Sequence, residues 1–269
     1  LATASGSIGT SWLVDPDALN TSLRLTATNF GSDGVKGTPD DQVAMTAFTD
    51  GSPVTLNQWE TITGKWANGQ ANKGQTVYFE GEVVPFSLDV GKLSPGSTYG
   101  VRINLDYYQS STDAGGFVYL DTYDKDVRGL PDNFGPVVPT SDDSFTVNDS
   151  ESLNLCATAF SFGVVNANVQ SVTYSRASTG LTRYADVVFT AGLASENSEL
   201  YWGQLLAVPN QVIVPSPPNT APGTDGAAGF TGGSLQTKIQ DSGVAGPTWI
   251  TPSNAVQLMP GTVVRGTIA

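Results

Sequence analysis

TVYFEGEVVPFSLDVGKLSPGSTYGVRINLDYYQ, residues 76–109, contains two runs in which apolar and polar side chains alternate. The two runs, VPFSLDV and YGVRINLDY, are joined by the turn-rich segment GKLSPGS. Apolar side chains at every second position are typical of a β-strand with one buried and one solvated face. The stretch therefore predicts a β-hairpin whose Tyr99, Ile103 and Tyr107 pack on a second sheet.

Short runs of the same kind recur along the chain, for example SLRLTATNF (22–30), VAMTAFTD (43–50) and GGFVYLDTYD (115–124). No segment longer than about ten residues keeps apolar side chains at helical spacing without Gly or Pro. Many short strands separated by turn residues predict an all-β protein, specifically a β-sandwich of jelly-roll type with long loops rich in Gly, Pro, Ser and Thr. The segment GSPVTLNQWETITGKWANGQANKG (51–74) is predicted to be one of these loops.

The composition of the N-terminus indicates the domain organisation. Residues 1–12, LATASGSIGTSW, are uncharged and mostly small or hydroxylated, which predicts an extended N-terminal arm. No internal repeat divides the remaining residues 13–269, so they are predicted to form one large β-sandwich domain. Because the chain begins without Met, we expect a mature protein from which a signal peptide has been removed.

The charge balance is strongly acidic, since 25 Asp and Glu residues against 12 Lys and Arg residues give a net charge of −13. Repulsion from phosphate argues against nucleic acid and anionic lipid as partners. Charged residues make up only 14% of the chain, against roughly 25% in typical soluble domains. A surface wetted by hydroxyls and amides instead favours an extracellular or cell-surface location. No run of about 18 apolar residues is present to span a membrane.

The chain contains no His, which removes the commonest general base and the usual partner of a catalytic Ser. No nucleophile-elbow or phosphate-loop motif occurs either. A carboxylate pair for glycoside hydrolysis could in principle be drawn from Glu60, Glu80 and Glu82. Glu80 and Glu82, however, flank Gly81 and are interpreted as solvent-facing residues of an ordinary strand. We therefore predict that the protein is not an enzyme.

Two acidic loops contain the candidate ligands for calcium, which binds oxygen atoms of carboxylates, amides and carbonyls. These candidates are Asp33, Asp40 and Asp41 in the first loop and Asp121, Asp124, Asp126 and Asp132 in the second. Asp is also common in turns, because its side chain accepts hydrogen bonds from nearby backbone N–H groups. We prefer the turn interpretation and predict no cofactor, with calcium as the open alternative.

Aromatic side chains stack on sugar rings where they are exposed, although most rings of a sandwich are expected in its core. The candidates for an exposed platform are Trp66, Tyr108 and Tyr123. Two other positions, Asn20 and Asn148, match the three-residue pattern for N-linked glycan attachment. Glycans are therefore expected either as ligands or as modifications.

Several short motifs follow one another in a fixed order between residues 59 and 124: WANG, YFEG, a VP strand, LSPG, a Gly-Gly pair and LDTYD. The later segments YWGQLLA (201–207) and GAAGFTGGSLQTKI (226–239) continue the series. Together these segments resemble a widespread group of secreted microbial β-proteins without an assigned activity. The resemblance implies an extracellular β-sandwich, often attached to cell-surface or secretion signals. This chain lacks the histidines of that group, so a histidine-dependent role is not expected.

The lack of a credible chemical site leaves assembly as the preferred function, with the N-terminal arm as its agent. Small uncharged residues are able to pair as an added strand with the sheet edge of a neighbouring copy. The assembly arm consists of Ala2, Thr3, Ala4, Ser5, Gly6, Ser7, Ile8, Gly9 and Thr10. We predict a structural subunit of a surface filament, a homopolymer built by this strand addition. A frayed terminus is the simpler explanation of the same residues, and the alternative function is a carbohydrate-binding cell-surface adhesin.

Overall fold

The structure is a computed structural model that describes residues 22–29, 34–35, 37–40, 42–49, 54–91, 93–123, 141–147, 158–177, 180–211, 224–231, 233–251 and 255–266. The chain divides into two compact units, Leu1–Ser52 and Pro53–Ala269. Within the described residues the only helical element is a 3-10 turn at Ala227–Gly229, and the other regular elements are β-strands. The prediction of an all-β protein is therefore confirmed, whereas the jelly-roll topology stays a prediction. Residues 1–12 lie outside the described residues, so the arm and its boundary also stay predictions.

The first unit contains two antiparallel strands, β1 (Ser22–Asn29) and β2 (Gln42–Thr49). Their register places Ser22 opposite Thr49 at one end and Asn29 opposite Gln42 at the other. The connecting loop includes Gly34 and Gly37, whose φ angles of 68° and 94° are in the left-handed region that favours Gly. Both strands were predicted from sequence and are confirmed.

The second unit contains eighteen described strands, which form two large sheets and two small strand pairs. In chain order these strands are β3 (Val54–Glu60), β4 (Lys65–Ala67), β5 (Gln70–Ala71), β6 (Tyr78–Phe79), β7 (Val83–Val90), β8 (Thr98–Asp106), β9 (Tyr108–Gln109), β10 (Ala114–Gly115), β11 (Phe117–Asp121), β12 (Ser141–Val147), β13 (Thr158–Val165), β14 (Ala167–Arg176), β15 (Thr182–Ala191), β16 (Ser198–Leu206), β17 (Leu235–Gln240), β18 (Thr248–Trp249), β19 (Ala255–Leu258) and β20 (Val263–Val264). The first sheet has the order β12-β13-β16-β7-β3-β4, with β11 also paired to β16. The second sheet has the order β14-β15-β8-β17-β19-β5, with β18 also paired to β8.

Strands β7 and β8 do not pair with each other, so the predicted hairpin is wrong. β7 is hydrogen-bonded to β16 and β3 in the first sheet, and β8 to β15 and β17 in the second. The intervening loop therefore carries the chain from the centre of one sheet to the centre of the other. Alternation in sequence reports which face of a strand is buried and says nothing about which strand pairs with it. The predicted burial of Tyr99, Ile103 and Tyr107 is confirmed, because they are 6%, 0% and 0% exposed.

The segment predicted as a loop at residues 51–74 contains β3, an interior strand of the first sheet between β7 and β4, which corrects that prediction. β3 pairs with β7 in antiparallel register, with Leu56 opposite Leu88. Gln58 points inward and is 1% exposed, while the neighbouring Trp59 is 1% exposed on the other face. Gln58 and Glu60, which follow Leu56 on the inward face, are polar and buried, so the apolar residues do not alternate regularly and the strand was not predicted.

The core between the two large sheets is rich in aromatic contacts. The ring of Phe86 on β7 stacks on Trp202 of β16 with a centroid distance of 5.8 Å and an interplanar angle of 17°. It also meets Phe117 of β11 edge-on, at 5.8 Å and 80°. Val101 and Leu105 of β8, on the opposing sheet, are fully buried in the same cluster. Large rings bury much apolar surface per residue, so these contacts account for a substantial part of the packing.

A buried cation, Arg183 of β15, lies inside the second unit with only 1% of its surface exposed. Its Nη1 donates a hydrogen bond of 2.8 Å to the carbonyl oxygen of Val118. Its guanidinium lies 5.1 Å from the ring centroid of Tyr107 and 5.4 Å from that of Tyr174. The rings and the carbonyl replace part of the hydration that a buried guanidinium loses.

The close approach of two backbones at Gly116 gives a test of the fold. A Cβ atom at Gly116 would lie 2.1 Å from the carbonyl oxygen of Asp106, whereas one at Gly233 would have its nearest neighbour at 3.9 Å. We expect Gly116→Ala to lower the free energy of unfolding by about 3 kcal/mol, because the backbone must shift to relieve the overlap. Urea unfolding followed by circular dichroism measures the change, with Gly233→Ala as the matched control. Equal stabilities of the two variants would contradict this packing.

Candidate functional site

The outer face of the first sheet, away from the second sheet, carries a cluster that we call the aromatic–acidic patch: Trp66, Asp89, Tyr123, Glu199 and Tyr201. Its side chains point outward because the residues that alternate with them, such as Leu88 and Leu200, are fully buried in the core. The antiparallel register of β7 and β16 brings Asp89 directly opposite Glu199. The sheet thus positions residues that are far apart in sequence next to one another.

The rings of the patch contact one another at angles that are common for aromatic pairs. Trp66 lies 5.8 Å from Tyr201 at 56°, and 5.4 Å from Trp59 at 75°. Tyr123 lies 6.0 Å from Tyr201 at 50°. Tyr123 and Tyr201 are 7% and 4% exposed, while Trp66 is half-buried. Trp66 is therefore the ring of the patch with the most contact with solvent.

Two carboxylates, Asp89 and Glu199, face each other beside these rings. Burial raises the pKa of Glu199 above its usual value, and the negative charge of Asp89 raises it further, while a hydrogen bond from the Tyr201 hydroxyl opposes the shift. Burial likewise raises the pKa of Asp89, against a hydrogen bond with the Asn197 side chain. The strands that flank this pair place uncharged residues beside it: Thr55 of β3 lies opposite Asp89, and Val165 of β13 lies opposite Glu199. Repulsion between the two carboxylates is therefore not offset by these strand neighbours.

Two of the three residues predicted to stack on sugars, Trp66 and Tyr123, meet in the patch, but Tyr108 does not. Tyr108 packs with Tyr107 and Tyr119 in a separate cluster, and its hydroxyl donates a 2.6 Å hydrogen bond to Asp113. Burial, with the neighbouring Asp113 carboxylate, raises the pKa of Tyr108 to about 12. Tyr108 and Tyr123 are each 7% exposed. The prediction of an exposed platform at Tyr108 and Tyr123 is therefore wrong, because both rings are buried.

Sequence reasoning missed Asp89, Glu199 and Tyr201. In the sequence Asp89 is the polar residue of an alternating strand and Glu199 belongs to no motif. Tyr201 is one of the larger pool of aromatic residues and was not among the three selected for an exposed platform. The spacing of Glu199 and Tyr201 by two residues in a strand places both on one face. That spacing was the available signal, but the proximity of Asp89 follows only from the register.

The two candidate calcium ligands that the structure describes are in turn or strand environments. Asp40 is exposed and accepts a 2.8 Å hydrogen bond from the Thr38 hydroxyl. Asp121 is 1% exposed and accepts a 2.8 Å hydrogen bond from the backbone N–H of Thr122. Among the described residues no three Asp, Glu, His or Cys side chains are grouped so that they could hold a metal ion. The other candidates, Asp33, Asp41, Asp124, Asp126 and Asp132, lie outside the described residues, so calcium binding stays a prediction.

The remaining predicted sites also lie outside the described residues. They are the assembly arm at residues 2–10 and the glycan-attachment candidates Asn20 and Asn148. The structure gives no test of these sites, and they stay predictions.

The interpretation of Glu80 and Glu82 as solvent-facing strand residues is wrong. They are 5% and 2% exposed, and they flank a turn at Gly81, whose φ is 83°. Glu80 accepts a 3.0 Å hydrogen bond from the N–H of Ala228, and Glu82 accepts one of 2.6 Å from the N–H of Phe79. Burial raises the pKa of Glu80, and the Ala228 hydrogen bond opposes that shift. Both carboxylates thus hold backbone segments together.

An outermost strand, β14, borders the second sheet on one side. Among the described strands it pairs only with β15, through nine of its ten residues, and the register shifts between Val169 and Ser171. The side chains of Gln170, Ser171, Thr173 and Ser175 are exposed and uncharged. Natural edge strands are often short or carry charges that discourage further pairing. The exposed face of β14 lacks such charges at these four positions.

Comparisons with known proteins add no relative: no protein-family model, curated protein or solved structure matches this chain. In the part of the chain that the structure describes, no helix is long and apolar enough to cross a membrane.

The carboxylate pair predicts a dependence of stability on pH. Because the pKa values of Asp89 and Glu199 are raised on folding, the folded protein holds protons more tightly than the unfolded chain, and stability falls as pH rises from about 4 through the folded pKa values. We expect Asp89→Asn to increase the free energy of unfolding at pH 7 by about 0.5 kcal/mol, since it removes a directly opposed like charge. The gain should vanish near pH 3, where both carboxyls are protonated.

Urea unfolding at pH 3, 5 and 7 checks this expectation. Asp241→Asn is the control, because Asp241 is exposed and its removal leaves the pair intact. A destabilised Asp89→Asn protein at pH 7, or an equal gain in the control, would count against repulsion within the pair.

Proposed function

We propose that this chain is an extracellular structural protein that assembles into a surface filament by strand addition between copies. The observation that supports this proposal best is the long β14 edge, whose exposed side chains at residues 170, 171, 173 and 175 are uncharged. A sheet edge of this kind provides backbone N–H and C=O groups to which an added strand can bind. The partner is a second copy, which donates its N-terminal arm.

The chemistry of the arm suits this edge. Residues 2–10, ATASGSIGT, carry no charge and no Pro, so each backbone N–H remains able to donate. The register shift at Val169 is a bulge, which interrupts the regular ladder there. The arm is therefore expected to pair along the regular part of β14 from Ser171 onward. Donation from each copy to the next does not close on itself and generates an open filament.

An extracellular, non-catalytic role is supported by composition. Acidic residues outnumber basic ones by 25 to 12, charged residues are sparse, and His is absent. The carboxylates that sequence analysis considered for glycoside hydrolysis are engaged with the backbone at Glu80 and Glu82. A protein of this kind would act through backbone pairing with other copies and through its surface.

Two changes test the assembly. Deletion of residues 1–12 should leave a folded monomer that no longer polymerises, and Thr173→Lys should shift the protein towards monomer, because a charge on the edge opposes an incoming strand. Thr98→Lys is the matched control, since Thr98 is also exposed but lies on the interior strand β8. Negative-stain microscopy and sedimentation velocity measure the polymer fraction. Fibres formed by the truncated protein would refute donation by the arm.

A second candidate function, carbohydrate binding by a cell-surface adhesin, is favoured by one observation in the aromatic–acidic patch. Trp66 is half-buried beside Tyr201, and two carboxylates and the side chains of Asn57 and Ser87 lie on the same face. Aromatic faces with nearby hydrogen-bonding groups are a common arrangement for sugar recognition. The patch would then act as the ligand site of the second unit.

Binding to a glycan array separates the two functions. If the protein is an adhesin, Trp66→Ala should weaken sugar binding about tenfold, the loss expected from a stacking contact of about 1.4 kcal/mol. Trp249→Ala is the control, because Trp249 is also half-buried but lies on the second sheet. No sugar-dependent signal from the unaltered protein would eliminate this candidate.

A further inference from the structure

Four polar side-chain atoms in the interior of the sandwich have no hydrogen-bond partner in the described part of the chain. They are Oε1 of Gln58, Oε1 of Glu60, Nε1 of Trp202 and Nε2 of Gln204. The four side chains are between 0% and 1% exposed. Buried polar atoms without a partner are rare in folded proteins, because each costs free energy relative to water. Four of them on β3 and β16, the two strands that flank β7, therefore call for a common explanation.

The register places these residues at two successive levels of the inward face, on either side of β7. Gln58 and Trp202 are both paired with Phe86, from opposite sides. Gln204 is paired with Val84. Because β3 and β16 both run antiparallel to β7, Glu60 follows Gln58 in the same direction and comes level with Val84. We call these four residues the buried polar row.

The donors and acceptors of the buried polar row are separated between its two strands. Gln58 donates from Nε2 to the carbonyl oxygens of Gly69 and Gln257 at 2.9 and 2.8 Å, which fixes its Oε1 as the remaining acceptor. The Thr237 hydroxyl donates to Oε1 of Gln204 at 2.8 Å, which leaves Nε2 of Gln204 as the remaining donor. β3 therefore presents two acceptors and β16 presents two donors.

These groups cannot all satisfy one another directly. β3 and β16 are separated by β7, so their backbones are about 10 Å apart. The ammonium of Lys65, whose side chain is 61% exposed, lies 4.0 Å from the other carboxylate oxygen of Glu60, Oε2. A bound Ca²⁺ would require six or more oxygen ligands, and no three Asp, Glu, His or Cys side chains of the described residues are grouped to hold a metal ion. Water both donates and accepts, and it typically makes about three hydrogen bonds when buried.

We propose that the sandwich binds ordered water at the buried polar row, with one molecule donating to Gln58 and Glu60 and another accepting from Trp202 and Gln204. Such molecules are part of the folded structure and exchange slowly with solvent. Glu60 lies at the start of the stretch that contains the motif series of residues 59–124, and Gln204 lies in YWGQLLA (201–207), so the proposal gives a role to one residue of each segment. It is independent of both candidate functions.

Nuclear magnetic resonance tests the donor side of the row. The signal of the Trp202 indole N–H is assigned by its disappearance in Trp202→Phe. It should show a direct cross-relaxation peak to water. The sign of that peak should correspond to a water residence time longer than about a nanosecond. The Trp249 indole, which donates to the carbonyl oxygen of Val244 at 2.8 Å, provides the internal reference for an indole bound to protein. Absence of the Trp202 peak, at a sensitivity that detects a known buried water, would overturn the proposal.

A crystal structure tests the acceptor side. Density at about 2.8 Å from Oε1 of both Gln58 and Glu60 supports bound water. Density at about 2.4 Å with several oxygen ligands would identify a cation instead, and an empty site would leave the acceptors dry. Either of the last two results overturns the proposal. Gln204→Met should abolish the density near Trp202 while leaving the density at Gln58, because it removes one donor without filling the other site.

Discussion

The hydrophobic cluster formed by the inner faces of the two large sheets is the interaction on which the second unit depends. Strands β7 and β8 each lie in the middle of their own sheet, and the buried apolar side chains of both belong to this cluster. The seven-residue connection crosses about 10 Å between the sheets, and its Ser94 N–H donates to the Tyr99 hydroxyl at 3.1 Å. Because β7 and β8 are consecutive in the chain, they connect the two sheets covalently near the middle of each. The other strands lie on either side of these two.

The polar groups inside the sandwich act as constraints on how those layers align. Gln58 of β3 donates to the carbonyl oxygens of Gly69 and of Gln257, which is on β19. The Thr237 hydroxyl of β17 donates to the side chain of Gln204 on β16. An apolar core alone would tolerate small displacements of one sheet over the other, whereas directional hydrogen bonds do not. Strand β16 carries Gln204 on the inward face and Glu199 and Tyr201 of the aromatic–acidic patch on the outer face, so one strand connects the interior hydrogen bonds to the patch.

Sequence reasoning recovers the fold class but not the pairing of strands. Alternation at residues 84–107 correctly identified two strands and their buried faces, since a period of two follows from the backbone itself. It could not identify the partners, because a hairpin and a crossing between sheets require the same alternation. β3 was missed because Gln58 is polar and faces inward. In the patch, residue type alone selected Trp66 and Tyr123, whereas the opposition of Asp89 and Glu199 depends on a register between strands about a hundred residues apart.

The position of Arg183 has a consequence for the choice among alternative strand pairings. Arg183 shares the inward face of β15 with Ala185, Val187 and Phe189, which are fully buried among apolar side chains. A guanidinium stays charged at any physiological pH. If β15 shifted by two residues, its apolar pattern would be preserved. The charge of Arg183, however, would move away from the Tyr107 and Tyr174 rings and from the Val118 carbonyl oxygen. Such a slip is disfavoured by desolvation rather than by shape. Arg183 thereby favours the native pairing of β15 over shifted pairings that would bury the same apolar side chains.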